Sequence, residues 1–266
     1  MVWEGRLQAT QRRRSLLAAQ PWIARIGRNA PACARVAVIY GSLVLGAGLA
    51  AFTTLTLVAL LFFRFVNPPT STLMVGQWLT GQSIEQRWVP LTHISPNLVK
   101  AVITSEDGQF CQHSGIDFGA LAEALREARR TGDVRGASTI SMQVSKNLFL
   151  WPSKDLLRKG LELWMTLAME LVWPKQRILE VYLNIAEWGP GIFGAEAAAR
   201  HHFNKPAARL TPWESALLAA SLPNPIVRVA GKAGPGTRRI AQIIGARAKS
   251  ANARSACILR HMARSK

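Results

Sequence analysis

Two adjacent carboxylates, Glu106 and Asp107, lie in a chain that has 33 Lys and Arg against 15 Asp and Glu. Glu106 falls on the apolar face of a predicted helix, seven, four and three residues after Val99, Val102 and Ile103. Burial and the negative end of the helix dipole both raise the pKa of a carboxyl group at such a position. Glu106 therefore fits a general base that works near neutral pH, and a buried carboxylate paired with a Lys or Arg is the alternative.

A second carboxylate, Glu162, lies on a predicted helix that is otherwise nearly all apolar between residues 160 and 173. An unpaired charge in a protein interior is costly, so this side chain must be paired, protonated or functional. Arg158 and Lys159 precede it by four and three residues and are its nearest basic neighbours in sequence. Two buried carboxylates in a helical domain fit glycosyl transfer, in which one group moves a proton and the other assists the departing group.

A polar stretch at residues 135–147, "RGASTISMQVSKN", lies between these two carboxylates in sequence. Its hydroxyl, amide and amino groups suit the wall of a cleft that binds a sugar or a phosphate. A hydroxyl-rich loop without a site is the alternative interpretation. The residues that would line such a cleft are Ser138, Thr139, Gln143, Lys146 and Asn147.

His113 follows the Glu106–Asp107 pair and either takes part in catalysis or serves as a structural hydrogen-bonding group after a helix end. The motifs of other enzyme classes are missing from the sequence. It has no Ser-x-x-Lys and no Lys-Thr-Gly, which excludes a penicillin-binding serine acyltransferase. It also has no phosphate-binding P-loop and no spacing typical of a metal-ligand cluster.

An uncharged apolar run covers residues 36–63 and predicts a transmembrane anchor at residues 36–64. It is long enough to cross about 30 Å of hydrocarbon. A cleavable signal peptide is the alternative, but its apolar region is shorter and begins nearer the N-terminus. Residues 1–35 hold seven Arg against the single acid Glu4, so the positive-inside rule predicts a cytoplasmic N-terminal segment and an outward-facing domain.

The outward part carries a net charge of +12, because 26 basic and 14 acidic residues follow the apolar run. Such a domain is expected to have an anionic partner, and beside a membrane we expect lipid headgroups, pyrophosphates or wall polymers rather than nucleic acid. Two of its cysteines, Cys111 and Cys257, could form a disulfide in an oxidising compartment, but the sequence does not decide whether they pair.

The outward part reads as a linker at residues 65–90, a helical domain at residues 91–230 and a basic tail at residues 231–266. The glycine-rich and basic composition of the tail predicts that it is solvated and partly helical. Helices are predicted at residues 117–130, 156–173 and 175–185, another begins at Ser95 and Pro96, and the last clear one begins at Thr211 with a capping box. No run of residues predicts a β-strand.

Five ordered blocks of residues within about residues 90–225 resemble the monofunctional biosynthetic peptidoglycan glycosyltransferases, relatives of the glycosyltransferase domain of bifunctional penicillin-binding proteins. Each block alone is weak evidence for the family, but a chance match of five blocks in the same order is improbable. The blocks are Glu106, Asp107, Phe110, His113 and Gly115; Gly136, Ser138, Thr139, Ile140, Gln143, Lys146 and Asn147; Arg158, Lys159 and Glu162; Tyr182, Leu183, Asn184, Gly189, Gly191, Gly194, Ala198, Ala199 and Phe203; and Glu214 with "ALLAASLPNP".

This resemblance implies a mainly α, lysozyme-like fold with a smaller membrane-proximal lobe, preceded by one transmembrane helix. It implies that lipid II is polymerised into glycan strands with undecaprenyl pyrophosphate as the leaving group. Glu106 would be the base that deprotonates the acceptor 4-hydroxyl group. Glu162 would assist at the pyrophosphate, directly or through Mg²⁺ or Mn²⁺, and the sequence requires no cofactor. The implied substrate-binding residues are Asp107, His113, Ser138, Thr139, Gln143, Lys146, Asn147, Arg158, Lys159 and Asn184.

The resemblance also implies the partners and the location of the chain. The partners are lipid II, the growing glycan strand, membrane lipid and other cell-wall synthesis proteins, with no nucleic acid. The location is the bacterial cytoplasmic membrane, with a single span and a periplasmic domain. Two alternatives stay open: a lytic enzyme that cleaves glycan strands with Glu106 as acid, and an inactive anchor that binds the lipid-linked precursor.

Overall fold

The structure, a computed structural model, describes residues 32–132, 136–153 and 155–264. Most of the predicted cytoplasmic segment, residues 1–31, lies outside the described residues. The described chain divides into two compact units, with the boundary between Thr56 and Leu57.

Helix α1, Ala32–Phe65, contains the predicted anchor. Its stretch Val36–Phe65 contains an 18-residue window with a mean hydropathy of 2.1, of which only 11% is buried in protein, so it is not the core helix of a folded domain. It is long and apolar enough to cross a membrane and is compatible with a single-pass anchor. The last turns of α1, from Leu57 onward, belong to the second unit.

The second unit is mostly helical, as predicted, and its described helices follow one another with short connections. In chain order they are α2 Thr72–Leu79, α3 Pro96–Glu106, α4 Phe118–Thr131, α5 Ile140–Phe149, α6 Leu156–Val172, α7 Lys175–Ile185, α8 Ala195–Phe203, α9 Pro212–Ser221, α10 Pro235–Lys249 and α11 Ala256–Arg264. Short 3₁₀ turns lie at Leu91–His93, Ala207–Arg209 and Ala230–Lys232.

The ends of these helices follow from local side chains. Ser95 caps α3, whose first residue is Pro96, and the Asp117 carboxylate accepts a hydrogen bond from the amide of Ala120 at the start of α4. At α9, the Thr211 hydroxyl and the Glu214 carboxylate form the reciprocal capping box that the sequence predicts.

The core of the second unit surrounds α9, which packs against α3 and α10. Its residues from Ser215 to Ser221 are all buried. A second layer consists of α5 packed against α6 and α7. Fully buried aromatic side chains, among them Phe110, Tyr182 and Trp188, fill the spaces between the helices. These layers fix the relative positions of α3, α5 and α6, which carry the residues of interest.

Three very short strands correct the prediction that the domain has none. They are β1 Glu85–Gln86, β2 Glu187–Gly189 and β3 Ile192–Phe193, and they pair in the order β1-β3-β2. Strands of two or three residues are too short to show an alternating pattern in sequence. The sheet attaches the predicted linker, residues 65–90, to the chain near residue 190, because β1 pairs in parallel with β3.

The basic tail was predicted to be solvated, but in the structure it packs against the domain. Helices α10 and α11 are amphipathic, and their apolar side chains Ala241, Ile244, Ile258 and Met262 are buried against the domain. The apolar residues recur at helical spacing, but the spacing alone does not say what they pack against.

A disulfide between Cys111 and Cys257 joins α11 to the turn that follows α3, with the two Cα atoms 5.8 Å apart. The sequence left this pairing open. Gln176 of α7 reinforces the connection, because its side-chain amide donates a hydrogen bond to the Cys257 carbonyl oxygen at 2.9 Å. The C-terminal helix is thus covalently tied to the segment that begins with Glu106.

Removing this disulfide with the double substitution Cys111→Ser and Cys257→Ser is expected to lower the free energy of unfolding by about 2–5 kcal/mol, since the bond closes a long loop in the unfolded chain. Thermal unfolding of the full chain in detergent measures the loss. Reductant provides the matched control: it should destabilise the parent protein by a similar amount and leave the double variant unchanged. Equal sensitivity of both proteins to reductant would contradict the prediction.

Candidate active site

Glu106 is the last residue of α3, and its partly buried carboxylate is held by hydrogen bonds. The side-chain amide of Gln143 donates to Oε2 at 3.1 Å, and the Ser105 hydroxyl approaches Oε1 at 3.5 Å. Burial raises the pKa of Glu106, the two hydrogen bonds oppose that shift, and the neighbouring Asp107 carboxylate adds to it. No Lys or Arg pairs with this carboxylate among the described residues.

Asp107 and His113 form a buried pair immediately after Glu106. The side chains of Asp107 and His113 are 1% and 8% exposed, and His113 Nε2 lies 2.8 Å from Asp107 Oδ1. The amide of Gly115 donates to His113 Nδ1, so Nε2 carries the proton that is donated to Asp107. The other oxygen, Asp107 Oδ2, accepts from the amide of Ile140 at 3.0 Å. The pair therefore joins the turn after α3 to the first turn of α5.

Thr139 strengthens the same junction from the other side. Its buried hydroxyl accepts a hydrogen bond from the amide of Met142, which caps α5, and donates one to the Gly115 carbonyl oxygen at 2.6 Å. Gly115 has a φ of +95°, and a Cβ at this position would lie 2.9 Å from Thr166 Cγ2. A residue with a side chain would strain this turn, which explains why a glycine follows His113 here.

Gln143 is connected to a further residue, Tyr182 of α7. The Tyr182 hydroxyl donates to Gln143 Oε1 at 3.2 Å, and Gln143 Nε2 in turn donates to Glu106. Tyr182 is 1% exposed, and burial raises its pKa well above the ordinary value, with the carboxylates of Glu106 and Asp107 adding to the effect. The phenol therefore stays a proton donor, and it fixes which end of the Gln143 amide faces Glu106.

A cavity of about 460 Å³ lies beside Gln143, between α5, α6 and the segment that joins them. We refer to it as the cation cavity, because its charged lining consists of three basic side chains and one carboxylate. Its lining residues include Ser138, Gln143, Lys146, Asn147, Arg158, Lys159 and Glu162. Gln143 belongs to this lining and also donates a hydrogen bond to Glu106, so Glu106 lies next to the wall of the cavity that contains Glu162.

Within the cation cavity, Glu162 is buried and bonded to both of its basic neighbours. Arg158 Nη1 contacts Oε2, and Lys159 Nζ lies 2.6 Å from Oε1. Burial lowers the pKa of Lys146, and the nearby charges of Arg158 and Lys159 lower it further, while Glu162 raises it. Among the described residues, the buried Nε of Arg158 has no hydrogen-bond acceptor. This cavity therefore has excess positive charge and an unsatisfied donor, a combination that binds anions.

Comparison with known proteins matches residues 73–262 to the family model described as transglycosylase. A biosynthetic peptidoglycan transglycosylase of Agrobacterium fabrum is 53% identical over 191 residues, which cover 72% of this chain and 84% of that protein. The protein of the same name from Rhodospirillum centenum is 59% identical over 64% of this chain and 75% of its own length. A third from Rhizobium etli is 46% identical over 79% of this chain and 91% of its own length.

This chain belongs to the transglycosylase family. The match includes most of α10 and α11, so the packed C-terminal helices are part of the transglycosylase region. It also begins within α2, well before residue 91, where the sequence predicts the start of the domain.

The structure of this transglycosylase brings most of the predicted site residues together. Ser138, Gln143, Lys146, Asn147, Arg158, Lys159 and Glu162 all line the cation cavity. Asp107, His113 and Thr139 lie behind this wall and are buried, so they organise the cleft rather than face it. The stretch at residues 135–147 is also not a simple loop, because α5 begins at Ile140.

Asn184 was predicted to bind substrate, but this transglycosylase places it in the protein interior. Its side chain is fully buried and pairs with the backbone of Val89 through both its oxygen and its nitrogen, each at 2.9 Å. The same nitrogen donates to the Glu180 carbonyl oxygen. Asn184 is thus a structural residue that holds the segment before α3 against α7.

The residues around Glu162 do not fit a resident divalent cation. Both carboxylate oxygens are engaged by basic side chains, which repel a metal ion. The described residues also contain no group of three or more His, Cys, Asp or Glu side chains that could hold one. We therefore derive no catalytic step through a metal ion at this position.

Tyr182 lies in the fourth block of the sequence, but the sequence alone indicates no role for it. Substituting Tyr182→Phe is expected to lower kcat of the transglycosylase by about 2- to 10-fold, because one hydrogen bond that orients Gln143 is lost. Initial polymerisation rates, measured across substrate concentration and pH, test this prediction. We expect KM to stay nearly unchanged and the acid limb of the plot of kcat against pH to be displaced. Tyr40→Phe, in the apolar helix α1, is the matched control. Unchanged kcat and acid limb would contradict the role of Tyr182.

Proposed function

We propose that this transglycosylase polymerises lipid II into linear glycan strands and releases undecaprenyl pyrophosphate. The named relatives are biosynthetic peptidoglycan transglycosylases. The observation that carries the substrate assignment is the cation cavity, where Lys146, Arg158 and Lys159 face the single carboxylate of Glu162. Such an excess of positive charge suits a pyrophosphate. A cleaver of neutral glycan bonds would not need it, so strand synthesis is favoured over lysis.

In the proposed reaction, Glu106 is the general base. It accepts the proton of the acceptor 4-hydroxyl group while that oxygen attacks the anomeric carbon of the donor sugar. The bond from this carbon to the pyrophosphate oxygen breaks, and its electron pair leaves with the phosphate. The raised pKa of Glu106 supports this role, since a carboxylate of higher pKa is a stronger base.

The cation cavity would stabilise the departing pyrophosphate. Charge develops on the leaving oxygen during the reaction, and fixed basic groups in a partly closed cavity stabilise it strongly. Arg158 is a fixed donor to this group, because its guanidinium lines the cavity and is held in place by Glu162. Glu162 would act by holding Arg158 and Lys159 in position, which is a structural form of assistance to the leaving group.

A second cavity, of about 420 Å³, lies between α4 and the helices α5 and α6. Its lining is mostly apolar and includes Leu121, Leu125 and Leu163. It shares Ser138 and Lys159 with the cation cavity, so a phosphate site and a hydrocarbon site adjoin each other. A polyprenyl pyrophosphate has the same arrangement of charge and hydrocarbon, which supports a lipid-linked donor.

The location that we propose follows from helix α1 and the charge distribution. The chain would span the bacterial cytoplasmic membrane once, with the Arg-rich N-terminal segment in the cytoplasm and the second unit in the periplasm. In that position the domain meets lipid II at the membrane surface. The growing strand would be its second substrate, and other cell-wall synthesis proteins would cross-link the product.

The test is to incubate the full-length protein in detergent with labelled lipid II and to separate the products on a gel. Polymer that a muramidase digests is the expected result. Incubation with preformed glycan strands is the parallel experiment, in which no shortening is expected. Shortened strands without polymer from lipid II would show a lytic enzyme instead, and binding of lipid II without either product would show an inactive anchor.

A further inference from the structure

The C-terminal part of the domain has an exposed surface of uniform charge. Residues 231–266 contain nine Lys and Arg and neither Asp nor Glu. Within the described residues, none of the exposed basic side chains of this segment forms an ion pair. The exposed cations are Lys232, Arg238, Arg239, Arg247, Lys249, Arg254, Arg260 and Arg264. This charge plays no part in the reaction described above.

The packing of α11 fixes the direction in which its charge faces. Ile258 and Met262 lie on its buried face, and the disulfide at Cys257 ties its first turn to the domain. Arg260 and Arg264 are exposed and one helical turn apart, so they share the opposite face. The helix is therefore held in one orientation with its basic side outward, rather than free to rotate or detach.

The same helix lies close to the end of the apolar helix α1. Gln176, in the first turn of α7, contacts the Cys257 carbonyl oxygen at 2.9 Å. The next residue, Arg177, donates to the carbonyl oxygens of Phe63 and Val66 at 2.9 Å and 2.8 Å. One turn of α7 thus contacts both the C-terminal helix and the last turn of α1. This turn of α7 brings the first turn of α11 near the point where the chain leaves the membrane.

The length of α1 places that point at the membrane surface. About 20 helical residues cross the hydrocarbon of a bilayer, and the apolar stretch Val36–Phe65 has 30. The last turns, from Leu57 onward, belong to the second unit and so lie beyond these roughly 20 residues, in the headgroup region, where the phosphates of anionic lipids attract nearby Lys and Arg side chains.

We propose that the basic C-terminal surface, formed by Lys249, Arg254, Arg260 and Arg264, binds the phosphate headgroups of anionic lipids. Several exposed cations on a fixed helix contact several headgroups at once, which holds the domain at a defined height and tilt above the bilayer. An acidic protein is the alternative partner, and the nearness of α11 to the end of α1 favours lipid. The proposal rests on the membrane anchor and not on the glycosyl transfer.

The test measures lipid binding by the full-length protein in neutral detergent, using native mass spectrometry and titration with phosphatidylglycerol or phosphatidylcholine. We expect phosphatidylglycerol to bind about tenfold more tightly than phosphatidylcholine. The variant Lys249→Gln, Arg254→Gln and Arg264→Gln should lose most of this preference. A matched variant removes the same charge elsewhere, with Arg209→Gln, Lys232→Gln and Arg239→Gln, and should keep it.

The cations of the cavity also attract phosphate, but both variants retain them, so a difference between the variants reports on the C-terminal surface alone. Both variants should also polymerise lipid II at the parental rate, which separates this proposal from the proposed reaction. Equal preference in all three proteins would overturn the lipid site. The lipid site would also be overturned if the variant with Lys249→Gln, Arg254→Gln and Arg264→Gln lost binding to poly-L-glutamate but kept the parental lipid preference. That result would identify a surface for an acidic protein.

Discussion

Glu106→Gln is expected to lower kcat for lipid II polymerisation by about 10²- to 10⁴-fold, with KM nearly unchanged. The amide has the shape of the carboxylate and still fits beside Gln143, but it cannot accept the proton of the acceptor hydroxyl group. Rates with labelled lipid II at saturating concentration measure the effect. Glu85→Gln is the matched control, because this carboxylate is 43% exposed and, among the residues that the structure describes, forms an ion pair with Arg87 alone.

The pH dependence gives a second readout of the same group. Burial raises the pKa of Glu106 above its ordinary value of 4.5, and only the ionised carboxylate can accept a proton. As the pH falls through this raised pKa, kcat/KM of the parent protein should fall, and the acid limb should lie above pH 4.5. The residual activity of Glu106→Gln should lack this limb. If Glu106→Gln kept near-parental activity and the same acid limb in its plot of kcat/KM against pH, another group would be the base.

Arg158→Gln is expected to have the second large effect, on both stability and activity. Glu162 is 2% exposed, and removing one partner of a buried ion pair costs about 3–5 kcal/mol. The remaining bond from Lys159, whose side chain is 38% exposed, reduces this cost. Loss of one donor to the departing pyrophosphate should lower kcat by at least about 100-fold. Thermal unfolding and polymerisation rates measure the two effects separately.

The double variant Arg158→Gln and Glu162→Gln is the matched control for this prediction. It removes the buried charge that Arg158→Gln leaves with Lys159 as its remaining partner, so the stability should return to near the parental level, since two polar amides replace the ion pair. Activity should stay low, because the donor to the pyrophosphate is still missing. Recovery of activity together with stability would show that Arg158 serves the fold and does not contact substrate.

Contacts within one helical turn could be predicted from the sequence, because spacing alone brings such residues together. Arg158 and Glu162 are four residues apart, and they form the predicted ion pair in α6. The capping box at Thr211 and Glu214 also depends only on spacing of three residues. The apolar run of α1 needs no partner to be recognised, because its length and composition suffice.

Contacts between distant segments could not be predicted in the same way. Tyr182 reaches Glu106 through Gln143, and these three residues lie on α7, α3 and α5, whose packing brings them together. Asn184, in α7, is removed from the cleft because its amide pairs with the backbone of Val89. The sequence identifies residues of suitable chemistry, but it does not show which of them face the cavity.

The C-terminal segment shows this difference most clearly. Its composition and spacing predict basic, amphipathic helices, and α10 and α11 are such helices. Their burial against the domain and the bond between Cys111 and Cys257 depend on partners in distant parts of the chain. Periodicity specifies which face of a helix is apolar, whereas the surface that covers this face is formed only when the whole chain folds.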